Sequence, residues 1–340
     1  MTQQQGQQQQ RRRYLITGGA GFIGSHLTER LLRDGHSVVV LDDLSTGRRE
    51  NLSGLLDAAG VQFIRDSVEN EATVNTLMAQ CDGVFHLAAA VGVQLVLDEP
   101  VRTIRTTIHG TEVVLDAANR YGRPVMITSS SEVYGKGAKV PFHEDDDVVM
   151  GPTKTTRYCY AYCKAIDEYL GLAYHKQYGL PVRVVRLFNT VGPRQVGRYG
   201  MVLPRFVEAA LRGQPLIVHG DGNQTRCFCH VRDVADALVT LTNTPAAAGQ
   251  VFNLGGDEEV SINELASRVI KLTGSSSRIE HVSIEQAYGH RFEDMPRRVP
   301  DLHKVRQAVG FRPRHALDDI ITSVIDHVRG GISDASAPKV

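Results

Sequence analysis

The chain has 340 residues, 42% of them hydrophobic and 22% charged, and its 38 basic residues balance 38 acidic ones. This length allows two domains, or one large α/β unit with a smaller lobe, and the apolar content is enough for a sizeable core. The balanced charge argues against a nucleic-acid-binding protein that works by bulk positive charge. No run of about eighteen apolar residues is present, so no transmembrane helix is expected. We therefore expect neither a nucleic-acid nor a membrane partner.

The two ends of the chain and its cysteines exclude further classes. Residues 1–12 are rich in Gln and Arg and are expected to be a disordered tail, and residues 331–340 a second tail. The apolar stretch that follows the first tail is too short for an export signal, which predicts a cytoplasmic protein. The five cysteines are odd in number and unevenly spread, so no disulfide framework is expected. Cys227, Cys229 and His230 lack further ligands at metal-binding spacing, so no metal site is predicted.

Short β-branched segments alternate with longer helical segments through the first 190 residues. The predicted strands are Tyr14–Thr17, Ser37–Leu41, Val61–Arg65, Gly83–Leu87, Val125–Ser129 and Val182–Leu187. The predicted helices are Gly24–Asp34, Val74–Gln80, Val101–Tyr121 and Tyr160–Tyr178. Continuously apolar strands that alternate with helices indicate an α/β fold with a doubly wound parallel sheet of the Rossmann type. We therefore assign residues 13–190 to a dinucleotide-binding domain.

After residue 190 the chain becomes richer in loops. The predicted elements are a helix at Leu203–Arg212, a strand at Leu216–His219, a helix at His230–Leu241, a strand at Val251–Leu254, and helices at Ile262–Thr273 and Leu317–Val328. We expect the chain to return to the main sheet at about residues 228–254. Residues 191–227 and 255–330 are then predicted to form a smaller C-terminal substrate-binding lobe.

A glycine-rich turn follows the first predicted strand. Its spacing is Gly18-x-x-Gly21-x-x-Gly24, and a helix begins directly afterwards. Glycines at these positions permit a tight turn, close approach of a pyrophosphate and close helix–strand packing, while the helix N-terminus offers free N–H donors to phosphate. Asp42 ends the second predicted strand about twenty residues further on, where a carboxylate binds the ribose hydroxyls and repels a 2′-phosphate. The pattern predicts NAD as the cofactor rather than NADP.

A tyrosine and a lysine form the candidate proton-transfer pair. Tyr160 and Lys164 are four residues apart in a predicted helix, so both lie on the same face. A free phenol has a pKa of about 10, and a neighbouring ammonium group together with the positive nicotinamide ring is expected to lower it. The preceding strand ends in a run of hydroxyl residues that includes Ser130, at the edge where open α/β sheets bind ligands.

Together these motifs resemble the extended short-chain dehydrogenase/reductases that act on nucleotide sugars, the NAD-dependent epimerase/dehydratase family. The resemblance covers Tyr14 to about Arg329 and includes the motifs Thr17–Gly24, Leu41–Gly47, His86–Ala89, Tyr160 with Lys164, and Phe188–Arg194. It implies cofactor contacts from Gly18, Gly21, Phe22, Ile23, Gly24, Asp42, Asp43, Ser45, Thr46, Gly47, Asp66, Ser67, Leu87, Ala88, Ala89, Tyr160 and Lys164. It implies catalysis by Ser130, Tyr160 and Lys164, and substrate contacts from Asn189, Arg226, Arg298 and Asp301.

Within this family the chain looks most like the UDP-glucuronate decarboxylases, also called UDP-xylose synthases. Their pattern is similar to Ser130-Ser131-Glu132, to Arg157 before the catalytic Tyr, and to the segment 298–301. Nucleotide-sugar 4,6-dehydratases carry an Asp where this chain has Ser131. The resemblance adds Glu132 and Arg298 to the catalytic residues. Residues 90–94 replace a Ser/Pro-rich loop of the decarboxylases, which leaves a UDP-sugar 4-epimerase as an alternative.

The implied reaction starts with removal of hydride from C4 of a UDP-sugar by NAD. With UDP-glucuronate the resulting 4-keto acid loses carbon dioxide, and return of the hydride yields UDP-xylose. In a 4-epimerase acting on UDP-glucose or UDP-glucuronate, the keto sugar instead rotates before hydride returns. A non-catalytic dinucleotide sensor is a third alternative, which the presence of Ser130, Tyr160 and Lys164 disfavours. Relatives pair through the two helices Val101–Tyr121 and Tyr160–Tyr178, so a homodimer is expected.

Overall fold

The computed structural model describes residues 10–90, 92–137, 139–156, 158–197, 201–288 and 295–336. In chain order its strands are β1 (Arg13–Thr17), β2 (Ser37–Leu41), β3 (Val61–Ile64), β4 (Gly83–His86), β5 (Val125–Ser130), β6 (Val182–Leu187), β7 (Thr190–Val191), β8 (Leu216–His219), β9 (Thr225–Cys227), β10 (Cys229–His230), β11 (Gln250–Leu254), β12 (Glu259–Ser261), β13 (Ile279–Val282) and β14 (Arg297–Arg298).

The α-helices follow the same order. They are α1 (Phe22–Arg33), α2 (Glu71–Ala79), α3 (Val93–Asp98), α4 (Pro100–Ile104), α5 (Gly110–Tyr121), α6 (Tyr158–Tyr178), α7 (Val202–Leu211), α8 (Val231–Thr242), α9 (Ile262–Thr273), α10 (Ile284–Tyr288), α11 (His303–Val309) and α12 (Leu317–Ser336). Short 3₁₀ turns follow β2 and β5, the latter at Ser131–Tyr134.

A parallel sheet forms the centre of the molecule. Seven strands of the described chain pair in the order β11-β6-β5-β4-β1-β2-β3, and every pair in this sheet is parallel. The chain turns in opposite directions on the two sides of β1, which creates a crevice at the carboxyl ends of β1 and β4. The predicted doubly wound Rossmann-type sheet is confirmed.

Helices cover both faces of this sheet. Alternate residues of β2 show why: Val38 and Val40 pack with α1, α8 and α11, while Val39 and Leu41 pack with α2 and α5. Each strand is therefore apolar on both sides, as parallel strands between two helical layers must be. The carboxyl ends of the strands remain as the uncovered edge.

The predicted helix Val101–Tyr121 is present as one continuous helical segment that contains a π-helical turn. Between α4 and α5, residues 105–109 form one turn of π-helix. The Thr111 hydroxyl bonds back to the Thr107 carbonyl at 2.8 Å, and such back-bonding by threonine favours local departures from regular helix geometry. Apolar periodicity does not reveal an inserted residue of this kind, so the helix was predicted but its π-helical turn was not.

The second lobe is built on its own apolar cluster. Residues of α7, α9 and α12 pack together with β8, which pairs with β13. A small sheet of order β12-β9-β14 lies beside it and places Arg226 directly opposite Arg298. Before the chain completes this lobe it returns to the main sheet, since α8 packs against α1 and β11 pairs with β6.

The ends of the chain differ in part from the prediction. Helix α12 continues past Val328 to Ser336, so it occupies part of the segment 331–340 that we expected to be a tail. At the other end, Arg12 already accepts a hydrogen bond from the Ser37 backbone at 2.8 Å. Residues 1–9 and 337–340 lie outside the described residues. Within the described ranges, no helix is long and apolar enough to cross a membrane.

Candidate active site

A cleft of about 520 Å³ runs along the carboxyl ends of the main strands and continues into the second lobe. The lining includes these residues predicted for the cofactor: Gly18, Gly21, Phe22, Ile23, Gly24, Asp42, Asp43, Ser45, Thr46, Asp66, Ser67, Leu87, Ala88, Ala89, Tyr160 and Lys164. It also includes Ser130, Glu132, Asn189, Arg226 and Arg298. The structure thus brings residues from distant parts of the chain to one cavity.

Residues larger than glycine would not fit at two positions of the glycine-rich turn. Gly18 has φ +69°, and a Cβ added there would lie 2.8 Å from the backbone nitrogen of Ala88. A Cβ at Gly24 would lie 2.4 Å from the Gly18 carbonyl oxygen. No side chain caps the N-terminus of α1 at Gly21, so the first N–H groups of this helix are available to an anion. These features fit the pyrophosphate of a dinucleotide.

Asp42 is held at the end of β2 by two backbone donors. Its Oδ2 accepts the Ala20 N–H at 2.9 Å and its Oδ1 accepts the Leu44 N–H at 2.8 Å. Burial raises the pKa of Asp42, and these hydrogen bonds act in the opposite direction. Gly47 does not line the cleft; a Cβ there would lie 2.8 Å from Asp42 Oδ1, so glycine leaves room for the carboxylate.

Asp66 is also oriented by its neighbours. Thr73 donates its hydroxyl to Asp66 Oδ2 at 2.6 Å, Asn70 donates its amide to the same oxygen at 2.9 Å, and Ser67 donates its N–H to Oδ1 at 2.7 Å. The Thr73 hydrogen bond is the main cause that lowers the pKa of Asp66. The carboxylate therefore presents a fixed acceptor at the rim of the cleft.

A chain of hydrogen bonds runs under the cleft floor. The Ala88 N–H donates to Thr17 Oγ1 at 3.2 Å, and Thr17 Oγ1 lies 2.7 Å from His86 Nδ1. His86 Nε2 lies 3.0 Å from Thr111 Oγ1, whose hydroxyl donates to the Thr107 carbonyl. Because the last donor is assigned to Thr111, His86 must donate through Nε2 and accept through Nδ1. The chain anchors the Ala88 backbone beside the glycine turn.

Tyr160 and Lys164 lie on one face of α6, as predicted. Lys164 is almost completely buried, and its Nζ lies 3.0 Å from Asp167 Oδ2. Burial alone would lower the pKa of Lys164, but Asp167 and Tyr160 outweigh it, so the net pKa is raised. The lysine is therefore a stable cation inside the protein.

The expected lowering of the tyrosine pKa is only partly realised. The Lys164 charge does lower the pKa of Tyr160, but burial of the phenol is the larger effect, and the net pKa is raised. Burial disfavours a phenolate because it removes the charge from water. Spacing along a helix indicates the neighbouring cation but not how deeply the phenol lies, so the contribution of burial could not be predicted from the sequence.

Glu132 and Arg298 meet across the two lobes. Glu132 lies in the turn after β5, where its N–H donates to Ser130 Oγ at 3.2 Å. Arg298 lies on β14, and its Nη2 is 2.7 Å from Glu132 Oε1. The exposed fractions of the two side chains are 24% and 12% respectively. The ion pair therefore places a carboxylate and a guanidinium group next to the serine turn.

The predicted substrate residues have different surroundings. Asn189 has φ +28° and donates its amide to the Cys227 carbonyl at 2.9 Å, while Arg226 donates Nη1 to the Met295 carbonyl at 2.9 Å. Asp301 does not line the cleft described here, and its Oδ1 accepts the His303 N–H at 2.7 Å. Arg157 lies outside the described residues.

Several lining residues were not predicted. They include Asn51, Arg194, Gln195, Arg205, His219 and Gln224. Asn51 donates its amide to the Ala20 carbonyl at 2.9 Å, next to the glycine turn, and Arg205 donates to the Ile217 carbonyl at 3.2 Å. Arg194 is the last residue of the motif Phe188–Arg194 and has φ +69°, so it had a local signal. The others follow no recognisable spacing.

The fold and the cleft define the class of this protein: a doubly wound dinucleotide-binding protein with a Ser, Tyr and Lys constellation at the switch point of its sheet. Residues 14–255 match the model of the NAD dependent epimerase/dehydratase family. The chain belongs to this family. It is an enzyme of the nucleotide-sugar group, and its cofactor is NAD.

Comparison with individual proteins gives relatives with two kinds of activity. The chain is 42% identical to the UDP-N-acetyl-alpha-D-glucosaminuronate decarboxylase of Bacillus cytotoxicus, over 93% of this chain and 98% of the relative. It is 36% identical to UDP-glucuronic acid decarboxylase 1 of Xenopus tropicalis, over 93% and 72% respectively. The crystal structure of UDP-glucuronic acid 4-epimerase from Bacillus cereus, with UDP-glucuronic acid and NAD, is similar with a TM-score of 0.84 and 28% identity, over 94% and 99%.

Replacement of Gly18 by alanine is expected to weaken NAD binding by about tenfold or more, or about 1.4 kcal/mol. The added methyl group would clash with the backbone of Ala88, which cannot move without breaking its hydrogen bond to Thr17. Titration of NAD by calorimetry measures the change. Gly122→Ala is the matched control, because Gly122 has φ +63° with nothing within 4 Å of an added Cβ. Equal NAD affinity in both variants would contradict the proposed cradle.

Replacement of Lys164 by methionine is expected to shift the rising limb of the pH–activity profile to higher pH by about one unit or more. The ammonium group lowers the pKa of Tyr160, so its loss leaves burial unopposed. We expect turnover near neutrality to fall by about 10²-fold or more. Lys176→Met, on the exposed end of the same helix, should leave the profile unchanged. An unshifted limb in Lys164→Met would show that Tyr160 is not the titrating group.

Proposed function

We propose that this protein decarboxylates UDP-glucuronate to UDP-xylose through a 4-keto intermediate. The observation that carries the proposal is the Glu132–Arg298 ion pair, 2.7 Å long, beside Ser130 and in one cleft with Tyr160. The decarboxylase relatives support it, since they match along more than nine-tenths of the chain. The 4-epimerase reading rests on structural similarity at lower identity.

Bound NAD supplies the hydride acceptor and donor. We propose that the glycine turn and Asp42 hold it, and that Tyr160 takes the proton of the sugar C4 hydroxyl while Ser130 orients that hydroxyl. Lys164 lowers the cost of the phenolate. In the resulting keto acid the carboxylate is β to the C4 ketone, so the C5–C6 bond breaks and its electron pair passes to the ketone as an enolate.

We propose that the Glu132–Arg298 ion pair acts in the steps that follow decarboxylation. Loss of carbon dioxide leaves an enolate that needs a proton at C5 and a stabilised oxygen at C4. Arg298 can stabilise negative charge in that region, and Glu132 can orient a water molecule that donates a proton to C5 and regains one from solvent. Tyr160 then returns its proton to the C4 oxygen as hydride returns to C4. The protein thus contributes position and proton transfer, with no net oxidation of the sugar.

A second candidate substrate is the 2-acetamido counterpart, UDP-N-acetylglucosaminuronate. The observation in its favour is that the relative with that activity is 42% identical, against 36% for the Xenopus UDP-glucuronic acid decarboxylase. The chemistry at C4, C5 and C6 is the same for both sugars. They differ only in the substituent at C2.

The reaction is tested by incubating the protein with UDP-glucuronate and NAD and following the nucleotide sugars by mass spectrometry. We expect a loss of about 44 mass units, the mass of carbon dioxide. UDP-N-acetylglucosaminuronate is assayed in parallel, and the substrate with the higher kcat/KM is assigned. An isomer of unchanged mass would contradict decarboxylation and identify a 4-epimerase. NAD binding without conversion of any UDP-sugar would favour the dinucleotide sensor.

Replacement of Glu132 by glutamine is expected to lower kcat for decarboxylation by about 10²-fold, because the amide keeps the size but loses the charge and basicity. The first hydride transfer should persist, visible as absorbance of reduced cofactor. Glu259→Gln is the control, since Glu259 on β12 pairs with Arg297 on β14 but does not line the cleft. Equal losses in both variants would count against a direct role of Glu132.

We also propose that the protein is a homodimer that pairs through α4 and α6. Val101, Ile104, Ile166 and Tyr169 are exposed apolar side chains on these two helices, and Tyr169 is 76% exposed. The helices α4 and α6 contact each other, and we propose that these residues form one surface. An apolar surface of this kind is typical of a subunit interface.

Replacement of Tyr169 by glutamate is expected to shift the sedimentation coefficient from that of a dimer to that of a monomer. The free energy needed to bury a charge in an apolar interface exceeds the free energy that the interface contacts contribute, so the dimer dissociates. Val148→Glu, at an exposed apolar residue elsewhere, should leave the dimer intact. A parent protein that sediments as a monomer would rule out the interface.

A cytoplasmic location is the remaining part of the proposal. All five cysteines are free thiols, and four of them are buried. A protein without disulfides is suited to a reducing compartment.

A further inference from the structure

A buried ion pair that takes no part in the proposed chemistry lies beneath the catalytic residues. Glu168 on α6 and Arg186 on β6 are each only 6% exposed. Arg186 Nη2 lies 2.7 Å from Glu168 Oε2, and Arg186 Nε lies 3.0 and 3.2 Å from the two carboxylate oxygens. Neither side chain lines the cleft. Two-point contact of this kind is directional as well as strong.

The carboxylate of this pair connects the catalytic helix to the serine turn. Ser129 donates its hydroxyl to Glu168 Oε1 at 2.5 Å, and Ser129 directly precedes Ser130. Glu168 lies one turn after Lys164 on the same face of α6. The distance between the Ser130 backbone and the helix that carries Tyr160 therefore depends on this contact.

The guanidinium group of the pair supports the turn that carries Glu132. Arg186 Cζ lies 4.8 Å from the centre of the Tyr134 ring, at the end of that turn. Its Nη1 donates to the Glu144 carbonyl at 3.1 Å. The Tyr134 hydroxyl in turn donates to Asn253 Oδ1 at 2.7 Å.

Asn253 extends the network to the segment that follows Arg298. It is completely buried on β11 and donates Nδ2 to the Phe142 carbonyl at 2.9 Å. Phe142 exchanges backbone hydrogen bonds with that segment, donating to Val299 at 2.8 Å and accepting from Asp301 at 2.8 Å. One buried network therefore reaches Ser129 next to Ser130, Tyr134 at the end of the turn that carries Glu132, Val299 next to Arg298, and the helix that carries Tyr160.

We propose that Glu168 and Arg186 are positioning residues that hold Ser130, Tyr160 and the Glu132–Arg298 pair in register. The inference rests on the proposed assignment of those groups as the reacting ones. Neither positioning residue touches the sugar or the cofactor. We expect them to affect the rate because a misplacement of reacting groups by about 1 Å lowers the reaction rate by about 10²-fold.

The principal test is Arg186→Lys, which keeps the positive charge but loses the two-point contact. We expect kcat to fall by about tenfold or more, while KM for the UDP-sugar changes by less than about twofold. Arg183→Lys is the matched control. Arg183 is a buried arginine on the same strand that donates to the Thr244 carbonyl at 3.0 Å, away from the cleft. It should lose comparable stability and keep its kcat.

Coupling between the two residues gives a second readout. The double variant Glu168→Gln with Arg186→Lys is expected to lose less activity than the product of the single losses, since either change already breaks the same contact. If Arg186→Lys does not fold, Ser129→Ala removes only the hydroxyl link to Glu168 and should lower kcat by several-fold with the ion pair intact.

The outcomes separate this inference from the proposed reaction. A folded Arg186→Lys variant with the kcat of the parent, or an equal loss in Arg183→Lys, would overturn the positioning role. The assays use whichever UDP-sugar the parent converts, so a parent that converts its substrate without losing carbon dioxide would contradict decarboxylation alone. A parallel measurement of NAD affinity, expected to be unchanged in Arg186→Lys, excludes loss of the cofactor as the cause.

Discussion

Charged side chains can be buried along one face of a helix only if each finds a partner, and this constraint sets the position of α6 in the protein. Lys164 pairs with Asp167, and Glu168 with Arg186. Removal of either partner would leave an uncompensated buried charge, at a cost of about 3–5 kcal/mol. The Lys164–Asp167 pair lies within α6, whereas the Glu168–Arg186 pair links the helix to β6 and so constrains its rotation and its height above the sheet. Tyr160 lies on the same face, so its position in the cleft follows from the pairing.

The two lobes contribute different parts of the chemistry. The parallel sheet collects the glycine turn, Asp42 and Ser130 at one edge because all its strands point the same way. The second lobe supplies arginines, and the register of β9 with β14 sets Arg226 opposite Arg298. Only when the lobes lie together does Arg298 reach Glu132. A site divided in this way binds the nucleotide and the sugar between two separately packed cores.

Much of the fold and of the candidate site could be predicted from local sequence patterns. The six predicted strands of the first domain all exist, and the glycine turn was evident because its spacing and flanking elements are contiguous in sequence. Strands of two or three residues, such as β9 and β14, have too few residues to show a period. The Glu168–Arg186 pair joins residues eighteen positions apart on different elements, and no local pattern indicates such a contact. The net rise in the pKa of Tyr160 likewise depends on burial, which no local sequence pattern indicates.

The hydrogen-bond chain beneath Ala88 limits where charge can reside in the cleft. Burial lowers the pKa of His86 to about 3, and the nearby Lys164 charge adds to this. The imidazole is therefore neutral near neutral pH, in a single tautomer set by its two threonine partners. All the donors along the chain point the same way, from Ala88 toward Thr107. This hydrogen-bond chain therefore contributes a fixed dipole beneath the cleft, and His86 within it does not take up a proton near neutral pH.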